Sequence, residues 1–75
     1  MLNFIKQNKI NTTFRESCDK YYESIFKYCY CMVGNENDAK DCTQETFVRY
    51  LMRLEKSTPI ENHRAYLYKL PNQYA

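Results

Sequence analysis

The sequence predicts an all-α fold, a small three-helix bundle. Three observations point there: apolar residues recurring at intervals of three and four, a single glycine with two prolines, and a length of 75 residues. That length holds one core, and a domain of this size buries only about 60% of its unfolded surface, so stability is marginal. Hydrophobic residues at 44% and charged residues at 27% suit neither a disordered chain nor a glycine-turn-rich β fold.

From Thr13 to Val33 the residues Phe14, Cys18, Tyr21, Tyr22, Ile25, Phe26, Tyr28, Cys29, Met32 and Val33 form one stripe, while Glu16, Asp19, Lys20, Glu23 and Lys27 fall opposite. This is the pattern of an amphipathic helix. Gly34 is placed to end it as a left-handed C′ residue. Asn35 then serves as N-cap of the next helix, with Asp38 at N3 in a capping-box-like position. The second helix runs from about Glu36 to Glu55 and buries Ala39, Cys42, Thr43, Thr46, Phe47, Tyr50, Leu51 and Leu54. A polar connector, Lys56 to Glu61, contains Pro59. Asn62 is the N-cap of a third helix built on Ala65, Tyr66, Leu67, Tyr68 and Leu70, which Pro71 should end because proline disfavours helix at the residue before it. Residues 1–12 form an N-terminal segment, frayed or folded as a short extra helix, ahead of a helical domain over 13–75.

Charge and cysteine content exclude several functions. The net charge of +2 is too balanced for affinity resting on indiscriminate phosphate attraction. It is unevenly spread, however, at −3 over residues 35–48 and +3 over 49–75. The opening run from Met1 to Ile10 is interrupted by Lys6 and Lys9, and no apolar stretch reaches 20 residues, so neither signal peptide nor membrane span is expected and the location is cytoplasmic. Cys18, Cys29, Cys31 and Cys42 are therefore expected to be reduced. Cys29 and Cys31 would diverge on a helix, which argues against a zinc site and leaves the expected metals and cofactors at none. An enzyme is not expected: His63 is the lone histidine, nothing sets a cysteine nucleophile beside it, and there is no phosphate-binding glycine loop.

One helical face does not belong to the core. At 100° per residue, Asp41, Gln44, Glu45, Val48 and Met52 cluster opposite the buried stripe of the second helix. Apolar side chains beside two carboxylates and an amide suggest a docking surface for a basic partner, although scattered surface apolar residues are ordinary and the geometry alone decides little.

The run Gly34-Asn35-Glu36-Asn37-Asp38-Ala39-Lys40-Asp41-Cys42-Thr43-Gln44-Glu45-Thr46-Phe47-Val48-Arg49-Tyr50-Leu51 resembles region 2.2 of the extracytoplasmic-function group of bacterial RNA polymerase sigma factors. The likeness extends back through Tyr21-Tyr22 and Ile25-Phe26-Lys27-Tyr28-Cys29, similar to region 2.1, and forward to Arg64-Ala65-Tyr66-Leu67-Tyr68-Lys69-Leu70, covering roughly residues 13 to 70. Tyr66 stands where the family usually has tryptophan. The resemblance implies that the second helix docks on the coiled coil of the polymerase β′ subunit through the positions of Asp41, Gln44 and Glu45, with Val48 and Met52 added from the helical geometry. Asp38 is expected mainly to stabilise its own helix.

The resemblance also implies capture of an unpaired base of the promoter minus-ten element, on the non-template strand, by the connector Lys56-Ser57-Thr58-Pro59-Ile60-Glu61-Asn62 and the start of the third helix. Arg53, Lys56, Arg64 and Lys69 would track phosphates, and Asn62 and the rings of Tyr66 or Tyr68 would meet a splayed base. Tyr66 and Leu70 are equally readable as core residues at i and i+4, which leaves Tyr68 as the better exposed ring.

The pattern departs from the family where Leu70-Pro71-Asn72-Gln73-Tyr74-Ala75 replaces an arginine-rich continuation of the third helix, and where no region 4 follows. The sequence reads as a transcription-initiation module of a sigma factor with three origins left open: an engineered fragment, a split subunit whose partner supplies region 4, or a truncated form. The alternative is an interaction-only subunit or decoy that occupies polymerase without touching DNA. An anti-sigma factor is a further possible partner.

Overall fold

The computed structural model describes residues 2–56 and 58–74, with the side chains of 2–8 and 74 left aside. Ser57 of the connector and the Lys6 side chain thus lie outside the described residues. Four helices follow in order: α1 (Leu2–Val33), α2 (Glu36–Leu54), α3 (His63–Lys69) and the single-turn α4 (Pro71–Tyr74). No strand occurs among the described residues.

α1 is one unbroken helix of 32 residues, so the backbone passes through position 12 without the fraying or separate helix expected of residues 1–12. No proline or glycine interrupts it, and Ile10, only 8% exposed, anchors this stretch on the body of the fold. α1 stops at Gly34, whose φ of 84° opens the left-handed region and whose N–H donates to the carbonyl of Tyr30 at 2.8 Å. This is the αL form of helix ending. Asn35 then caps α2: its Oδ1 accepts from the Asp38 N–H at 2.8 Å, and its Nδ2 donates to Asp38 Oδ2 at 2.8 Å. The reciprocal contact runs through the cap's side-chain amide, a variant of the expected capping box.

With so short a junction α1 and α2 pack antiparallel. Ser17 meets Tyr50 while Cys29 meets Cys42, partners that step in opposite directions along the two chains. The core contains Ile25, Cys29, Ala39, Cys42, Phe47, Tyr50, Leu67 and Leu70. Thr43 and Thr46, also buried, return their hydroxyl hydrogens to the carbonyls of Ala39 and Cys42 at 2.7 and 2.8 Å. No buried side-chain nitrogen or oxygen lacks a partner among the described residues. Leu51 and Leu54, expected within the stripe of α2, are half-buried at its edge.

Pro71 behaves differently from expectation. It ends α3 but opens α4, because its ring suits the first helical position, where no N–H is needed. Leu70 keeps helical angles, φ −66° and ψ −42°, despite the proline that follows it. Burial explains this: Leu70 is 5% exposed and Pro71 is enclosed, so packing outweighs the local preference of a residue before proline.

Candidate functional site

α2 presents its outer side as the sequence pattern demands. Asp41, Gln44, Glu45, Val48 and Met52 are all exposed, with Val48 at 52% and Met52 at 60%. None of the five enters the core, and Ala39, Cys42, Thr43, Thr46, Phe47 and Tyr50 take the inner side. Glu45 is the one member of the strip with a described ion pair, and it stays on the same helix: Arg49 Nε lies 3.0 Å from Glu45 Oε1, one turn on. Gln44 also borders a groove shared with Tyr22, Glu23, Phe26 and Lys40. The sequence reading had turned Tyr22 inward; it is 41% exposed while its ring stacks on Phe47 at 5.5 Å.

Tyr50 is the hub beneath the other end of the fold. It is fully buried, and its hydroxyl lies 2.7 Å from Ser17 Oγ on α1 and 2.8 Å from Nδ1 of His63, the first residue of α3. Phe14, Phe47, His63 and Tyr66 all pack rings against it. Burial pushes the Tyr50 phenol above its ordinary value, opposed by the Ser17 hydrogen bond. Sequence reasoning found Tyr50 as core but missed Ser17, because serine carries no apolar signal and its polar partner lies 33 positions away.

The last turn of α2, the connector and α3 hold the seven residues expected at DNA. Asn62 caps α3, its Oδ1 accepting from the Ala65 N–H at 2.9 Å. Lys56, Arg64 and Lys69 are exposed. Arg53 turns inward along the connector, donating to the carbonyls of Thr58 and Pro59 at 2.5 and 3.3 Å, with its guanidinium 5.9 Å from the centre of the Tyr66 ring. Tyr66 and Tyr68 are both half-buried, so Tyr68 does not stand apart as the better exposed ring expected from the sequence. Tyr68 stacks on Tyr28 at 5.4 Å, and Arg64 lies 5.0 Å from its centre. The alternation of an amphipathic helix cannot foretell that Tyr28, 40 positions earlier in the chain, covers it.

The cysteines divide as helical spacing requires: Cys29 is buried and Cys31 exposed. Burial and the adjacent Cys29 thiol push Cys42 up to about 12, and burial together with Asp19 raises Cys18. Such thiols are poor nucleophiles. Among the described residues no cluster of three His, Cys, Asp or Glu side chains could hold a metal ion, and no helix is long and apolar enough to cross a membrane.

The family model described as sigma-70 region 2 matches residues 18–73, spanning the inner core, the outer strip of α2, the connector and α3. The chain belongs to the sigma-70 region 2 family. It is also 30% identical over 57 residues to the ECF RNA polymerase sigma factor SigW of Bacillus subtilis (strain 168), a match covering 76% of this chain and 30% of that relative's length. No solved structure matches the chain. Sigma-70 region 2 is a non-enzymatic part of transcription-initiation factors, and its all-helical architecture agrees with the fold described above.

Proposed function

We propose that this sigma-70 region 2 chain binds RNA polymerase core by laying the outer side of α2 on the β′ coiled coil, and that it contributes to minus-ten recognition and melting at its basic end. The observation that carries the docking role is the exposure of Val48 and Met52, at 52% and 60%, beside Asp41, Gln44 and Glu45. Apolar anchors ringed by acidic and amide groups suit a basic helical rod: the carboxylates steer and orient, and the desolvated centre supplies most of the affinity. The membership in the family and the likeness to a polymerase sigma factor support the same partner.

The DNA role rests on Lys56, Asn62, Arg64 and Lys69, exposed together around the connector and α3. A second reading, polymerase binding without DNA contact, is favoured by one observation: Tyr66 and Tyr68 already lie against Arg53 and against Tyr28 and Arg64, respectively.

The test is capture of the isolated β′ coiled coil by the wild-type chain and by Glu45→Lys. The substitution should abolish capture with an unchanged helical circular-dichroism spectrum; undiminished capture removes the assignment of this face. Cross-linking of promoter bases to Tyr66 or Tyr68 in the polymerase complex, with and without a separate region 4 protein, decides between the two readings of the basic end.

A further inference from the structure

We infer that Arg53 is a positioning residue, which shapes the α2–α3 connector for an unpaired base and does not itself hold the DNA backbone. The base-capture part of this inference rests on the function proposed above; the shaping of the connector does not. Three contacts converge on one guanidinium. Nη1 donates to the Thr58 carbonyl and Nη2 to the Pro59 carbonyl, while Cζ lies 5.9 Å from the centre of the Tyr66 ring. Arg53 is half-buried in this arrangement, unlike Lys56, Arg64 and Lys69, which are exposed.

Apart from this fork, the connector is held by the half-buried side chain of Ile60, which packs against the core. Between the end of α2 and His63 the described backbone forms no regular element, and its described backbone hydrogen bonds involve only its two ends: Glu55 N–H to the Leu51 carbonyl, Lys56 N–H to the Arg53 carbonyl, and Tyr66 N–H to the Asn62 carbonyl. Pro59 provides no N–H at all. Two adjacent carbonyls met by the two arms of a planar fork fix the direction of the chain at Thr58–Pro59. The cation–π contact with Tyr66 ties that direction to α3. Only arginine carries donors spaced for this, since a lysine ammonium is a point charge on a flexible stem. The Nη1–Nη2 edge of the fork is committed to the two carbonyls, so that edge is not open to clasp a phosphate.

Arg53→Lys and Arg53→Met in the full 75-residue chain separate this role from a direct contact. Methionine keeps a stem against Tyr66 while removing the fork, and thermal midpoints verify that both variants fold. In 15N relaxation of the DNA-free chain, the order parameters of the Thr58, Ile60 and Glu61 amides should fall in both variants from near 0.8 to below about 0.6; unchanged order in either variant overturns the inference. Binding is then followed by anisotropy with labelled twelve-nucleotide oligo(dA), oligo(dC) and oligo(dT). Both variants should lose at least threefold in discrimination among the three strands, with the slope of log affinity against log salt unchanged. If Lys restores wild-type binding while Met lowers that slope by about 0.7, Arg53 is a phosphate ligand and the inference fails. If the wild-type chain binds none of the strands, the proposed DNA role fails, and the relaxation data alone decide whether Arg53 orders the connector.

Discussion

The hydroxyl of Tyr50 sits 2.8 Å from Nδ1 of His63, tying the C-terminal part of α2 to the first residue of α3 from inside the core. Ser17 completes the link at 2.7 Å, so one buried oxygen joins three helices. Tyr50→Phe leaves the Ser17 hydroxyl buried without a partner and should cost about 1 to 3 kcal/mol. Urea unfolding should show a lower midpoint with an unchanged slope. In a double-mutant cycle with Ser17→Ala the two losses should be less than additive, and strict additivity would mean the hydrogen bond contributes nothing.

Alkaline pH should weaken the fold. Cys42 is raised from 9.0 to about 12, and Cys18 and Tyr50 are raised as well. Above pH 9 the unfolded chain gives up protons that the native state retains, so the native state gains nothing from ionisation and stability falls with rising pH. The fall begins near pH 9 and continues until the native groups themselves ionise, around pH 12 for Cys42. Urea midpoints at intervals from pH 7 to 11 measure it. Cys42→Ala should start from lower stability but decline less steeply, and an equal decline would put the effect elsewhere.

Thiol chemistry should follow exposure. Cys31 is exposed, Cys18 half-buried, and Cys29 and Cys42 are buried. A chromogenic disulfide reagent at neutral pH should modify Cys31 first and leave Cys29 and Cys42 untouched until the protein unfolds. Early labelling of Cys42, identified by peptide mass, would contradict the packing of α1 on α2.

Gly34 gives a clean measure of backbone strain. Its φ is 84°, and an added Cβ would meet nothing within 4 Å. Gly34→Ala should therefore cost about 1 to 2 kcal/mol through the left-handed conformation alone. Asn35→Ala, which removes the cap on Asp38, should cost about 1 kcal/mol. Chemical denaturation of both variants tests the pair, and a neutral Gly34→Ala would show that the junction relaxes.

Replacing Met52 with Ala should weaken capture of the β′ coiled coil by up to tenfold with little loss of stability, since the side chain is 60% exposed. Titration by calorimetry checks the affinity and thermal unfolding the stability. A drop in thermal midpoint instead would mean that Met52 supports the fold.

Much of the architecture was legible because it depends on local rules. The period of α2 marked both its buried stripe and its outer strip, and Gly34-Asn35 marked the junction through backbone and capping chemistry. The course of α1 before Thr13 was not legible. Its continuation rests on Ile10 finding cover, which is a property of distant residues. The same limit explains Leu70, whose helical backbone survives Pro71 through packing. At the site, exposure on α2 followed from periodicity, whereas the surroundings of Arg53 and Tyr68 depend on two loop carbonyls and on a ring from α1. No spacing within α2 or α3 encodes either.

The Glu45–Arg49 pair bears on how ionic strength would act on docking. Because the Glu45 carboxylate already faces a cation at 3.0 Å, an arriving lysine or arginine would swap one counter-charge for another and leave Arg49 with its contact to Gln73 Oε1 at 3.5 Å. Asp41 carries no such internal cation among the described ion pairs. Added salt should therefore act on docking mainly through Asp41, and a tally of acidic residues would overstate the screening.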